Sequence, residues 1–112
     1  MDTAKDPLES SIERAVVREA NRFGAYVVKG KTPSRRGFPD RLLFFPGARL
    51  LFVETKRAGK KARPDQDLCH RKLRRRGFAV VVVDSIDQAK KVVRDFASGY
   101  GVDKKVRNLE SR

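Results

Sequence analysis

Asp40, Glu54 and Lys56 are the side-chain types that work together on phosphate esters, and their spacing lets a small sheet gather them. Asp40 follows Gly37-Phe38-Pro39 and opens one apolar run. Glu54 and Lys56 close the next, Leu50-Leu51-Phe52-Val53-Glu54-Thr55-Lys56. Residues two apart in a strand share a face, so Glu54 and Lys56 point the same way. If the two runs pair through Pro46-Gly47, Asp40 and Glu54 come close together. Adjacent carboxylates repel and need a cation between them. Oxygen donors select a hard ion, Mg²⁺ or Mn²⁺. Such an ion polarises a phosphate and lowers the pKa of a bound water, and Lys56 can hold that water or stabilise charge developing on the phosphate. The chemistry is phosphodiester hydrolysis. Glu54-x-Lys56 alone could equally be an exposed ion pair; Asp40 shifts the weight toward a site.

Two further residues sit where folding alone does not place them. Glu13 falls inside the apolar stripe Ile12, Val16, Val17, Ala20, Phe23 of a helix. A carboxylate there needs a metal, a base or a hydrogen-bond network, with a boundary salt bridge as the plainer alternative. Glu9 points the same way but has a capping role, and Glu19 lies at the edge of the stripe. Gln66 shares a helix face with Cys69 and Leu73, either as a supporting or substrate contact or as an ordinary boundary glutamine. His70, the single histidine, precedes a basic run and lies off the Gln66 face, which suggests a solvated or phosphate-contacting imidazole.

The elements that must position these residues follow from periodicity. Helical spacing predicts a helix over 7–23, opened by the capping box Asp6-Pro7-Leu8-Glu9 and closed by Gly24. Strands are expected at 25–29, 41–45 and 50–56, with a Gly, Pro and basic loop at 30–38. Pro64 opens a second helix that reaches Arg76, and Gly77 stops it. Phe78–Asp84 reads as a strand buried on both faces. Ser85-Ile86-Asp87-Gln88 caps a last helix to Ala97, with Ala89, Val92, Val93 and Phe96 inward. The order is αβββαβα: an α/β fold with a mixed sheet flanked by helices. The first three strands form a meander, and a crossover sets the fourth parallel to a neighbour. One domain spans 7–98, followed by a basic C-terminal tail, 99–112.

Composition narrows the partner. The chain has 112 residues, with 27 Lys+Arg against 14 Asp+Glu, a net charge of +13. A surplus of that size attracts polyanions. No helix pairs an aromatic apolar face with a basic one, and no run approaches the ~18 apolar residues of a membrane span, so nucleic acid leads and membrane is excluded. One cysteine, Cys69, rules out an internal disulfide and fits a reducing cytoplasm; one Cys and one His cannot build a structural zinc site. The N-terminus has no apolar segment of a signal peptide, so secretion is not expected. Lys29, Lys31, Arg35 and Arg36 flank the loop before Asp40, and Arg57, Lys60, Lys61 and Arg63 follow the Glu54 strand, where phosphates must arrive. The run Arg71, Lys72, Arg74, Arg75, Arg76 either extends that surface or is a solvated face.

Glu13, Gly37-Phe38-Pro39-Asp40, Glu54-Thr55-Lys56 and Gln66, in this order, resemble the PD-(D/E)xK nuclease superfamily, and most closely its virus-type replication-repair nuclease (VRR-NUC) family. Ser11-Ile12-Glu13 leading into Val16-Val17, Pro46-Gly47-Ala48-Arg49 and Asp84-Ser85 fit as well. The likeness spans about residues 11–97. It implies a single-domain restriction-endonuclease-like core. It implies that Asp40 and Glu54 ligate the metal with the Thr55 carbonyl, that Glu13 binds a metal-bound water or a second ion, and that Lys56 is the catalytic lysine. Gln66 is similar to the helix glutamine of the family. Small members resemble Holliday-junction resolvases, which implies a homodimer and a phage, prophage or bacterial source. The expectation is a Mg²⁺-dependent DNA endonuclease that recognises branched structure over sequence. A sequence-specific restriction-type enzyme on the same core, or a basic nucleic-acid-binding protein without catalysis, are the alternatives.

Overall fold

The computed structural model describes residues 8–31 and 34–99. The order is α1 (Glu9–Arg22), β1 (Tyr26–Lys29), β2 (Arg41–Phe45), β3 (Arg49–Thr55), α2 (Pro64–Arg75), β4 (Ala79–Val83) and α3 (Ile86–Ala97). The four strands lie in the order β1-β2-β3-β4. β1, β2 and β3 are antiparallel neighbours, and β4 runs parallel to β3 after the α2 crossover. This is the expected meander plus crossover. Among the described residues no helix is long and apolar enough to cross a membrane.

Strand alternation divides the sheet. Leu43, Phe45, Leu51, Val53, Ala79, Val81 and Val83 face the main core, where Ile12, Val16 and Ala20 of α1 and Ala89, Val93 and Phe96 of α3 cover them. The opposite face carries Phe52 and Glu54, and α2 covers the β4 side of it. β4 is buried along nearly its whole length, as its unbroken valine run requires.

Helix ends follow their punctuation. Gly24 and Gly77 take left-handed backbone. At each, the next residue's amide reaches back five residues, Ala25 to the Ala20 carbonyl and Phe78 to the Leu73 carbonyl, closing the helix in a Schellman turn. Ser85 caps α3 by accepting from the Gln88 amide at 3.1 Å. The Gln88 side chain returns to the Asp84 amide, one residue earlier than a strict capping box. At α1 the N-cap is Leu8, so Glu9 is the first helical residue and not the third. Asp6 and Pro7, like the tail from 100 onward, lie outside the described residues.

Candidate active site

Antiparallel pairing of β2 and β3 brings the start of one beside the end of the other. Arg41 is level with Val53, so Asp40 arrives next to the Glu54–Thr55 end of β3. Asp40 is locked there: its Oδ2 accepts from the Thr55 amide at 2.9 Å and from Thr55 Oγ1 at 3.0 Å. A carboxylate with two donors on one oxygen is held in a single orientation. Its other oxygen, Oδ1, lies 3.3 Å from Lys31 Nζ.

Glu54 faces α2. Gln66 Nε2 donates to Glu54 Oε2 at 2.8 Å, and Lys56 Nζ stands 4.0 Å from the same oxygen. Glu54, Lys56 and Gln66 are all buried. Glu54 Oε1 has no hydrogen-bond partner, and neither has His70 Nε2, 3.6 Å away and beyond hydrogen-bonding reach. Burial pushes the Glu54 carboxyl above the usual range, and the Asp40 charge pushes the same way against the opposing pull of His70 and Lys56. A buried carboxylate oxygen with no donor, next to a second carboxylate, is costly unless a cation reaches it. Asp40 and Glu54 are the oxygens that a hard divalent ion takes. Among the described residues no group of three or more His, Cys, Asp or Glu side chains is placed to hold a metal ion, so Asp40 and Glu54 supply a pair of carboxylates and no third such ligand.

The loop ahead of Asp40 is fastened to α2 by glycine. Gly37 has φ +81°, and a Cβ on it would lie 2.4 Å from the Asp65 carbonyl oxygen. Only a residue without a side chain lets this loop touch the first turn of α2. Arg36 adds an ion pair to Asp65 at 3.5 Å. At the other end of the loop, the Gly30 amide donates to the Asp40 carbonyl at 2.8 Å.

Beside Asp40 lies a hollow of about 300 Å³ lined by Glu9, Glu13, Lys29, Lys31, Asp40 and Thr55. Glu13 is half-buried at its edge and pairs with Arg41 Nε at 2.6 Å. It therefore combines the boundary salt bridge with a place beside Asp40. The fully turned-in acid of α1 is Glu19, 3.6 Å from Arg22. The buried arc of α1 is rotated toward Ala15 and away from Val17 because α3 packs on that side.

The remaining sequence-derived positions divide. Lys29 and Lys31 reach the hollow, whereas Arg35 and Arg36 line a separate groove against α2. Arg57 is half-buried, and Lys60 and Lys61 are exposed just after the Glu54 strand. Arg63 precedes α2, ion-pairs with Asp65 at 3.2 Å and gives its amide to Gln66 Oε1 at 2.9 Å. In the α2 run, Arg74 is used internally, donating to the Val80 carbonyl at 2.8 Å. His70 corrects the expectation of a solvated imidazole: it is 1% exposed and packs beside Glu54. Its spacing of four from Gln66 was the available signal, since i and i+4 share a helix face.

Comparison with known proteins adds to this geometry. No family model matches the chain. A curated protein, "Putative nuclease p44" of Acyrthosiphon pisum secondary endosymbiont phage 1, is 42% identical over 79 residues, which cover 70% of this chain and 85% of that protein. A solved structure described as a VRR_NUC domain superposes with a TM-score of 0.73 at 30% identity, covering 79% of this chain and 96% of the other.

Proposed function

The chain belongs to the VRR-NUC nuclease family, and from that premise we propose that it is a Mg²⁺-dependent endonuclease that hydrolyses phosphodiester bonds in branched DNA. One observation carries the reading. Asp40 and Glu54 are brought to the same end of β2 and β3 and fixed by Thr55 and Gln66, yet one buried Glu54 oxygen makes no hydrogen bond, with His70 Nε2 3.6 Å away from it. A protein that only binds nucleic acid gains nothing from buried acids among its phosphate contacts.

Asp40, Glu54 and the Thr55 carbonyl would hold the ion, with Glu13 across the hollow; when bound, it supplies Lewis acidity toward the phosphate, and Mn²⁺ is expected to substitute. The Lys56 ammonium, held against Glu54 and largely shielded from water, stabilises negative charge that develops on the phosphate. Lys31 is 60% exposed on its side chain, so it is free to leave Asp40 and follow an incoming phosphate. Lys29, Arg57, Lys60 and Lys61 extend the positive surface from there. Contacts of this kind position a backbone without reading sequence, which favours recognition by structure. Action as a homodimer in the cytoplasm completes the proposal, since one site per chain leaves a second strand to a second copy.

The test compares branched, flapped and linear duplex DNA with Mg²⁺, Mn²⁺ or EDTA, beside Glu54→Gln. Cleavage of branched DNA only with a divalent ion, lost in the variant, is the expected result. DNA bound but never cut under any divalent ion overturns the nuclease reading, and cutting of linear duplex at one sequence overturns structure selectivity. Gel filtration at micromolar concentration checks the dimer.

A further inference from the structure

α2 shows one face to Glu54 through Gln66 and His70 and the adjoining face to a groove of about 470 Å³, a volume within the range that holds a small organic ligand. The floor of the groove is apolar: Phe38, Leu68, Cys69 and Leu73. Leu68 is 47% exposed, an uncovered leucine on an otherwise highly charged helix. Arg35 and Lys72 also line the groove and make no ion pair among the described residues, while the acid that lines it, Asp65, is already paired with Arg36 and Arg63. The walls are fixed. Gly37 seats the loop against Asp65, and the Phe38 ring meets Phe52 edge-on at 5.7 Å.

An apolar floor under unpaired cations suits an occupant with a flat apolar body and a negative backbone. We propose that this groove binds an unpaired nucleotide of the substrate, its base on Phe38 and Leu68 and its phosphates at Arg35 and Lys72. The inference rests on the nuclease reading above and deepens it. Paired bases are stacked and closed to such a floor, so only single-stranded substrate offers them. The groove therefore supplies selectivity for unpaired DNA at a surface one helix face away from the carboxylates. A second copy of the chain is a poorer occupant, because each copy would bring a net charge of +13 to a cationic groove.

Cys69, the sole cysteine, is a built-in reporter on the floor. Its maleimide labelling rate is measured in EDTA at about pH 8.5, mildly alkaline because burial raises the thiol. The arms are no DNA, single-stranded oligothymidine of about ten nucleotides, and duplex of equal length, with binding followed in parallel by anisotropy. Saturating single-stranded DNA is expected to slow labelling roughly tenfold, with duplex leaving it little changed. Leu68→Glu should remove the single-strand protection while duplex binding persists. Bound single strand with undiminished labelling overturns the groove and leaves the nuclease reading standing. Equal protection by duplex, or unchanged protection in Leu68→Glu, also overturns it. Protection that grows with protein concentration without DNA assigns the groove to a second copy. Absence of any DNA binding overturns both readings.

Discussion

Gln66 ties Glu54 to the start of α2 with both ends of one amide. Its nitrogen donates to Glu54 Oε2 and its oxygen accepts from the Arg63 amide. Each partner accepts only the end it receives, a carboxylate needing a donor and an N–H an acceptor, so the orientation of the amide is determined. The residue that stops the helix end from fraying thus also aims the buried carboxylate.

Replacing Gln66 with Leu keeps the volume and removes both bonds. Stability is expected to fall by about 1–3 kcal/mol, from two polar groups losing a partner. Cleavage should fall further than this accounts for, while DNA binding in EDTA stays near wild type. Denaturant unfolding with single-turnover kinetics separates the two. Unchanged cleavage in a less stable variant would leave Gln66 a cap and nothing more.

Glu54→Gln should lower cleavage by at least about a hundredfold and, without metal, should stabilise the fold at neutral pH. Burial holds the Glu54 carboxyl above its ordinary value of 4.5. Between 4.5 and that raised value, the folded state binds a proton that the unfolded chain has lost, so native stability falls as pH rises through the window. In EDTA the melting temperature of the variant should exceed wild type by a growing margin as pH rises above 4.5 and converge with it as pH approaches 4.5. Mg²⁺ should raise the wild-type value and not that of the variant. A gap that does not vary with pH contradicts this account of Glu54.

Gly37 and Gly59 make a matched pair. Both have positive φ, but a Cβ on Gly59 would meet nothing within 4 Å, whereas one on Gly37 would strike the Asp65 carbonyl. Alanine at Gly59 should cost about 1 kcal/mol of backbone strain. Alanine at Gly37 should cost about 2–3 kcal/mol or more, because the loop must also lift from α2, and cleavage should fall with it because Asp40 follows three residues on. Thermal melts and cleavage rates of both variants check this; equal effects would deny that the loop is pinned at Gly37.

Lys31→Ala should leave stability within about 1 kcal/mol, since its pair with Asp40 is largely solvated. DNA affinity should drop, and the slope of log affinity against log salt should shrink by about one, the mark of one lost phosphate contact. Anisotropy titrations across a salt series give the slope; an unchanged slope removes Lys31 from the DNA surface.

The sequence by itself determined the order of elements, the meander and the acid pair, because each is local. Alternation marks strand faces, Gly24 and Gly77 mark helix ends, and a short turn at Pro46-Gly47 leaves β2 and β3 little choice but to pair. With that pairing, Asp40 must reach the end of β3. What covers each face is a different matter, since periodicity orients a side chain within its own element and says nothing of the neighbour. Only the tertiary structure put His70 against Glu54, because α2 is rotated to turn residues 66 and 70 inward together. Only it turned Glu19 in place of Glu13, because α3 covers that side of α1. The pairs Glu13–Arg41 and Lys31–Asp40 and the groove beneath Arg35 likewise join segments far apart in the chain, whose approach depends on how the layers pack.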